Sequence, residues 1–156
     1  MPRVVCRGGL DLNPIELDSA DDVAWLETLV WPEQSDRLDR LRSAIAVART
    51  VRPRVVKGDL LVDLPALAAQ APRDATLVVF HSAVVAYVAD QAARDRFAET
   101  VRGLGAVWIS NEVPMVFPSI GAGVDREKGR GRFLLAVNGE PVAWTDAHGA
   151  SIEWLV

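Results

Sequence analysis

Thr76-Leu77-Val78-Val79-Phe80 is the stretch that decides the fold. From Leu77 to Phe80 it is apolar without interruption, as a strand buried on both faces of a parallel sheet must be, whereas a half-exposed antiparallel strand would alternate. Working outward, residues 3–6 form a short β-favouring run closed by Gly8-Gly9, after which Leu10-Asp11-Leu12-Asn13-Pro14 reads as a polar turn. Residues 54–57 form a brief strand ending at Gly58-Asp59, and residues 106–109 a fourth strand running into Ser110-Asn111-Glu112. Helical spacing fills the intervals. Val23, Leu26, Leu29 and Val30 recur after Ser19, a good N-cap, and Leu38, Leu41, Ile45 and Ala48 share a face up to Pro53. Trp31-Pro32 separates these two helices, because a residue before proline is pushed out of the helical region. A short helix over 63–69 carries Pro65 in its first turn, and Phe97 and Val101 mark one face of a helix over 90–104.

Strands alternating with helices predict right-handed crossovers. Residues 133–137 and 141–145 flank Asn138-Gly139, a hairpin turn signal, and residues 152–156 add an edge strand. The expected fold class is α/β, a three-layer, mainly parallel, Rossmann-like sheet with a C-terminal antiparallel hairpin, in a single domain over residues 1–156. Counting strands along the chain, the expected order is second, first, third, fourth, then the hairpin. This order pairs residues 3–6 in parallel with residues 76–80 and brings Asp11 and His81 to adjacent strand ends. Residues 113–132 hold two prolines, four glycines and no periodicity, and read as a long loop.

Half of the residues are apolar, enough for a sizeable core, and the net charge of −4 gives no electrostatic ground for a nucleic-acid or anionic-membrane partner. Cys6 is the single cysteine, which excludes an intramolecular disulfide and a cysteine-rich metal site and suits a reducing compartment. No stretch reaches the ~18 apolar residues of a membrane span, and the N-terminus lacks a secretion signal. A cytoplasmic protein is expected.

Ligands of open α/β sheets bind beyond the carboxyl ends of the strands. Those positions hold Asp11 and Asn13, Asp59, His81 and Ser82, then Asn111 and Glu112. Carboxylates there suit sugar hydroxyls, an imidazole suits proton transfer, and amides orient a ligand. Polar strand ends also belong to any α/β protein. His81 reads equally as a base or ligand and as a residue that caps a helix or bonds a loop carbonyl. Ser82 lacks the Gly-x-Ser-x-Gly elbow of serine hydrolases. Asp146 and His148 read as a polar turn rather than a pair, and two distant histidines predict no metal site. Gly121, Gly123, Gly129 and Gly131 follow no strand and open no helix, so they are no phosphate loop. Trp25 and Trp108 are expected in the core, and Trp31 more readily packs than faces a ligand.

Gly9-Leu10-Asp11-Leu12-Asn13-Pro14, Leu29-Val30-Trp31-Pro32-Glu33-Gln34, Val79-Phe80-His81-Ser82 and Asp146-Ala147-His148-Gly149 occur in this order. They resemble the hallmarks of the bacterial domain of unknown function 2332 family over nearly the whole chain. That family is similar in layout to class I S-adenosylmethionine-dependent methyltransferases. The resemblance implies S-adenosylmethionine as cofactor, with Asp11 and Asn13 at the ribose, Asp59 at the adenine amino group, and His81 and Ser82 beside the methyl-transfer centre. Glu112 would stand near the acceptor with His81. The first strand and glycine-rich loop of such enzymes precede the motif at which this sequence starts, so the chain resembles the C-terminal part of the fold. Two functions follow as expectations. One is a methyltransferase-like enzyme or fragment acting on a small molecule. The other is a non-catalytic interaction or oligomerisation domain, a homodimer or the partner of a separately encoded N-terminal part, recruited through exposed sheet edges.

Overall fold

In the computed structural model, which describes residues 3–125 and 127–155, backbone hydrogen bonds gather the strands of this mixed α/β chain into a two-stranded parallel sheet and a five-stranded mixed sheet. The chain divides into two compact units, Met1–Leu64 and Pro65–Val156.

In the first unit, β1 (Gly9–Asp11) pairs in parallel with β2 (Val55–Lys57) in the register Gly9 to Val55 and Asp11 to Lys57. The expected strand over residues 3–6 is not formed. Its β-favouring residues meet no partner, and a strand depends on its neighbour more than on propensity. The ladder instead starts at Gly9 and runs into the segment read as a turn. Between these strands lie α1 (Ala20–Thr28) and α2 (Ser35–Val51). Ser19 Oγ accepts the Asp22 N–H at the start of α1, and α2 ends at Arg52 in the left-handed region (φ 50°), directly before Pro53. Arg42 forks onto Glu27 at 3.0 and 2.9 Å and ties the helices together. Trp25 and Trp31 lie outside the core, 60% and 71% exposed, contrary to expectation.

The second unit opens with most of α3 (Leu64–Ala68) and continues through β3 (Val78–Ser82), α4 (Gln91–Gly103), β4 (Val107–Glu112), β5 (Phe133–Val137), β6 (Glu140–Thr145) and β7 (Ile152–Trp154). The sheet order is β3-β4-β5-β6-β7. Only β3 and β4 run parallel, and the three other pairings are antiparallel, so this sheet is not mainly parallel. The hairpin is as expected, with Asn138 and Gly139 both at positive φ (53° and 87°), the conformation of a type I′ turn.

β3 stands at the edge of this sheet, which overturns the expected strand order. Its apolar run suits an interior position, but the strand expected beside it, residues 3–6, is not formed, and β1 is bonded to β2. On one face of the sheet, α4 packs Ala93, Phe97, Ala98 and Val101 towards Trp108, Leu134, Ala136 and Trp144. The long loop proves to be part of this core, burying Val116, Phe117 and Ile120. A Cβ on Gly129 would collide with the Trp144 ring, so the loop lies on that indole only because Gly129 has no side chain. The opposite face carries Val78, Phe80, Ile109 and Leu135, and Phe80 is 77% exposed.

Candidate functional site

Alternation along β3 and β4 sends His81, Trp108, Ser110 and Glu112 to the α4 face. There His81 Nδ1 lies 2.8 Å from Glu112 Oε1, and Trp108 Nε1–H donates to His81 Nε2 at 2.9 Å. An indole can only donate, so Nε2 accepts and the proton sits on Nδ1, which donates to Glu112. The backbone N–H groups of Val84 and Val85 donate to the same Glu112 oxygen, each at 3.1 Å. Ala83 makes this possible, because its left-handed backbone (φ 52°) turns the two following amides inward as a nest for an anion. The nest after β3 is thus filled by the chain's own carboxylate.

Phe97 and Phe117 meet the His81 ring edge-on at 5.3 and 6.0 Å, and the Arg102 guanidinium covers Trp108 at 5.2 Å. The His81 and Glu112 side chains are 6% and 2% exposed. Glu112 Oε2 is buried with no hydrogen-bond partner among the described residues. A water-sized cavity of about 10 Å³, lined by Ser110, Glu112, Phe117 and Leu134 among others, adjoins this group. With both ring nitrogens engaged, the imidazole of this state bonds and orients; it faces no open cleft.

Ser82 points to the other face. Asn111 Nδ2–H donates to its Oγ at 3.1 Å, and Thr145 Oγ1–H donates to Asn111 Oδ1 at 2.8 Å. His81 and Ser82, neighbours in sequence, are therefore separated by the sheet.

Asp11, Asn13 and Asp59 belong to the first unit. Asp11 Oδ1 accepts the Asn13 N–H at 2.8 Å, and Asp59 Oδ1 accepts the Leu61 N–H at 2.8 Å. Both aspartates stand at the carboxyl ends of adjacent parallel strands, joined where the Gly58 N–H donates to the Asp11 carbonyl. Asp63, which the sequence reading passed over, accepts the Asp59 N–H at 2.8 Å and closes the turn. Because β1 pairs with β2, strand pairing does not bring Asp11 beside His81 as expected.

A family profile described as an uncharacterized protein conserved in bacteria (DUF2332) matches residues 1–154. The chain belongs to that family. No curated protein and no solved structure matches it. In this DUF2332 member, Asp146-Ala147-His148-Gly149 is a turn, as read from the sequence. Ser151 Oγ and Arg132 both bond the Asp146 carboxylate, and these contacts, Ser151 first, hold its pKa below the ordinary value. Trp108 and Thr145, also unsingled as site residues, complete the two polar clusters of the sheet. Trp108 was legible in principle, since period-two alternation aligns it with Ser110 and Glu112. Among the described residues, no helix is long and apolar enough to cross a membrane.

Proposed function

We propose that this chain is an interaction module whose second unit accepts a β-strand from a partner polypeptide along the free edge of β3. The observation that carries this reading is an interior-type strand in an edge position. The Val107 N–H bonds the Leu77 carbonyl and the Ala83 N–H bonds the Asn111 carbonyl, so odd-numbered residues of β3 serve β4. The N–H and C=O groups of Val78, Phe80 and Ser82 consequently face away from β4. No charge or proline guards this edge, unlike most exposed edges, and such edges recruit strands through backbone hydrogen bonds. The partner is an apolar extended segment, from a second copy or from a separate chain. A cytoplasmic setting is proposed with it, since the exposed Cys6 thiol suits a reducing compartment.

Hydrogen exchange at single amides tests the reading. A lysine-flanked apolar strand peptide, added in excess, should protect Val78, Phe80 and Ser82. Amides that exchange unchanged, or that are already protected in a monomer without peptide, overturn it.

A second reading, a methyltransferase-like nucleoside site, is favoured by the two carboxylates at the ends of β1 and β2. That position suits ribose hydroxyls and an adenine amino group, as the resemblance to class I S-adenosylmethionine enzymes implies for Asp11, Asn13 and Asp59. The second oxygens of Asp11 and Asp59 are not used by the turn bonds described above. The fit of His81 and Glu112 to acid–base roles is poorer, since His81 has both nitrogens engaged, and Ser82 lies on the far face. Titration calorimetry with S-adenosylhomocysteine decides it, because absence of heat at millimolar ligand would eliminate the cofactor for this chain.

A further inference from the structure

We infer that the cavity beside Glu112 is a binding site for one internal water molecule, which donates to Glu112 Oε2 and is held from its other side by the Ser110 hydroxyl. The site lies within the second unit and is independent of strand addition at β3. The two oxygens of the Glu112 carboxylate are unequally used. Oε1 accepts from His81 Nδ1–H and from the Val84 and Val85 amides. Oε2 is buried and has no hydrogen-bond partner among the described residues. A buried carboxylate oxygen without a donor is costly, and native structures meet such atoms with a protein group or an ordered water.

Size and wall chemistry name the donor. The cavity measures about 10 Å³, the room that one water needs. Ser110 and Glu112, which alternation sets on one face of β4, are its polar lining, and Phe117, Ile120 and Leu134 are among its apolar walls. A dry cavity is apolar throughout, whereas this one ends on a carboxylate. Ser110 is itself buried, and its hydroxyl is the second polar partner that an internal water requires. Glu112 repels an anion, and an organic cation is larger than the cavity. Magnesium and calcium take about six oxygen ligands or more, which two side-chain oxygens do not supply. Among the described residues, no group of three His, Cys, Asp or Glu side chains is placed to hold a metal ion. The water closes the network that starts at Trp108 and passes through His81 and Glu112, beneath the loop that follows β4.

Nuclear Overhauser contacts to water in the full chain test the site. The buried methyl groups of Ile120 and Leu134 should show water cross-peaks with the sign of a long-lived water rather than of surface solvent. Ser110→Ala removes the hydroxyl proton able to relay such peaks, and the peaks should survive with a shorter residence time. Oxygen-17 relaxation dispersion on the wild type, blind to hydroxyl protons, should register a long-lived water whether or not that variant folds. Missing cross-peaks, cross-peaks that vanish in a folded Ser110→Ala, or no oxygen-17 dispersion would each overturn the water. An infrared carboxylic-acid band that disappears in Glu112→Gln would overturn it in favour of a proton on Oε2. A melting temperature raised by sodium or potassium over choline at equal ionic strength, in the wild type but not in Glu112→Gln, would overturn it in favour of a cation.

Discussion

Trp108 donates its indole N–H to His81 Nε2 at 2.9 Å, and this bond determines how the end of β3 is built. It leaves Nδ1–H as the donor to Glu112, whose Oε1 also gathers the amides of Val84 and Val85. Trp108→Phe keeps a ring in place but strands a buried acceptor, so it should destabilise the second unit by about 1–3 kcal/mol. Urea denaturation gives the magnitude. Imidazole ¹⁵N shifts should show the Nδ1–H tautomer in the wild type and a mixture in the variant.

Glu112→Ala removes the acceptor of three donors at once. Each buried donor left without a partner costs about 1–3 kcal/mol, so a loss of at least that size is expected. Faster hydrogen exchange at Val84 and Val85 would assign the loss to the turn, whereas unchanged exchange there would refute the nest.

Gly129→Ala drives a Cβ into the Trp144 ring. The loop must lift, at a cost of about 1–3 kcal/mol, with a changed near-ultraviolet dichroism signal from tryptophan. Gly123 has nothing within 4 Å of the same position and no positive φ. Gly123→Ala is the control and should stay within about 0.5 kcal/mol.

Proline distinguishes the two sides of β3. Phe80→Pro loses only an N–H that faces away from β4 and should cost about 1 kcal/mol or less. Val79→Pro removes a ladder bond to β4 and should unfold the unit. Equal melting temperatures for the two variants would refute the hydrogen-bond alternation assigned to this edge.

The Asp146 carboxyl lies below its ordinary value of 3.8 through the Ser151 and Arg132 hydrogen bonds. A lowered folded-state value means that its contribution to stability is present above the unfolded pKa and is lost as pH falls through the folded one. The stability gap between wild type and Asp146→Asn should therefore be present at neutral pH and close in acid below about 3.8. Added salt should narrow the gap, because the Asp146 side chain is partly exposed.

Local rules decided much of this chain from sequence alone. Ser19 at an N-cap, Asn138-Gly139 at a hairpin turn and Pro65 in a first turn each act through a few neighbouring atoms, and the structure bears them out. Alternation along residues 107–112 likewise separates the His81 and Glu112 cluster from Asn111. The tertiary structure alone decided which strands pair. Val4 and Val5 favour β structure as strongly as any residue near them, yet the ladder formed at Gly9–Asp11, because a strand exists only where another backbone meets its hydrogen bonds. The 113–132 loop supplied Val116, Phe117 and Ile120 to the core without any period to announce them. Phe117 packs against the His81 ring and Gly129 against the Trp144 ring, contacts between distant residues that no local pattern encodes. The apolar run of β3 reads as an interior strand, yet β3 stands at the sheet edge beside β4, because pairing is non-local and not encoded in the run itself.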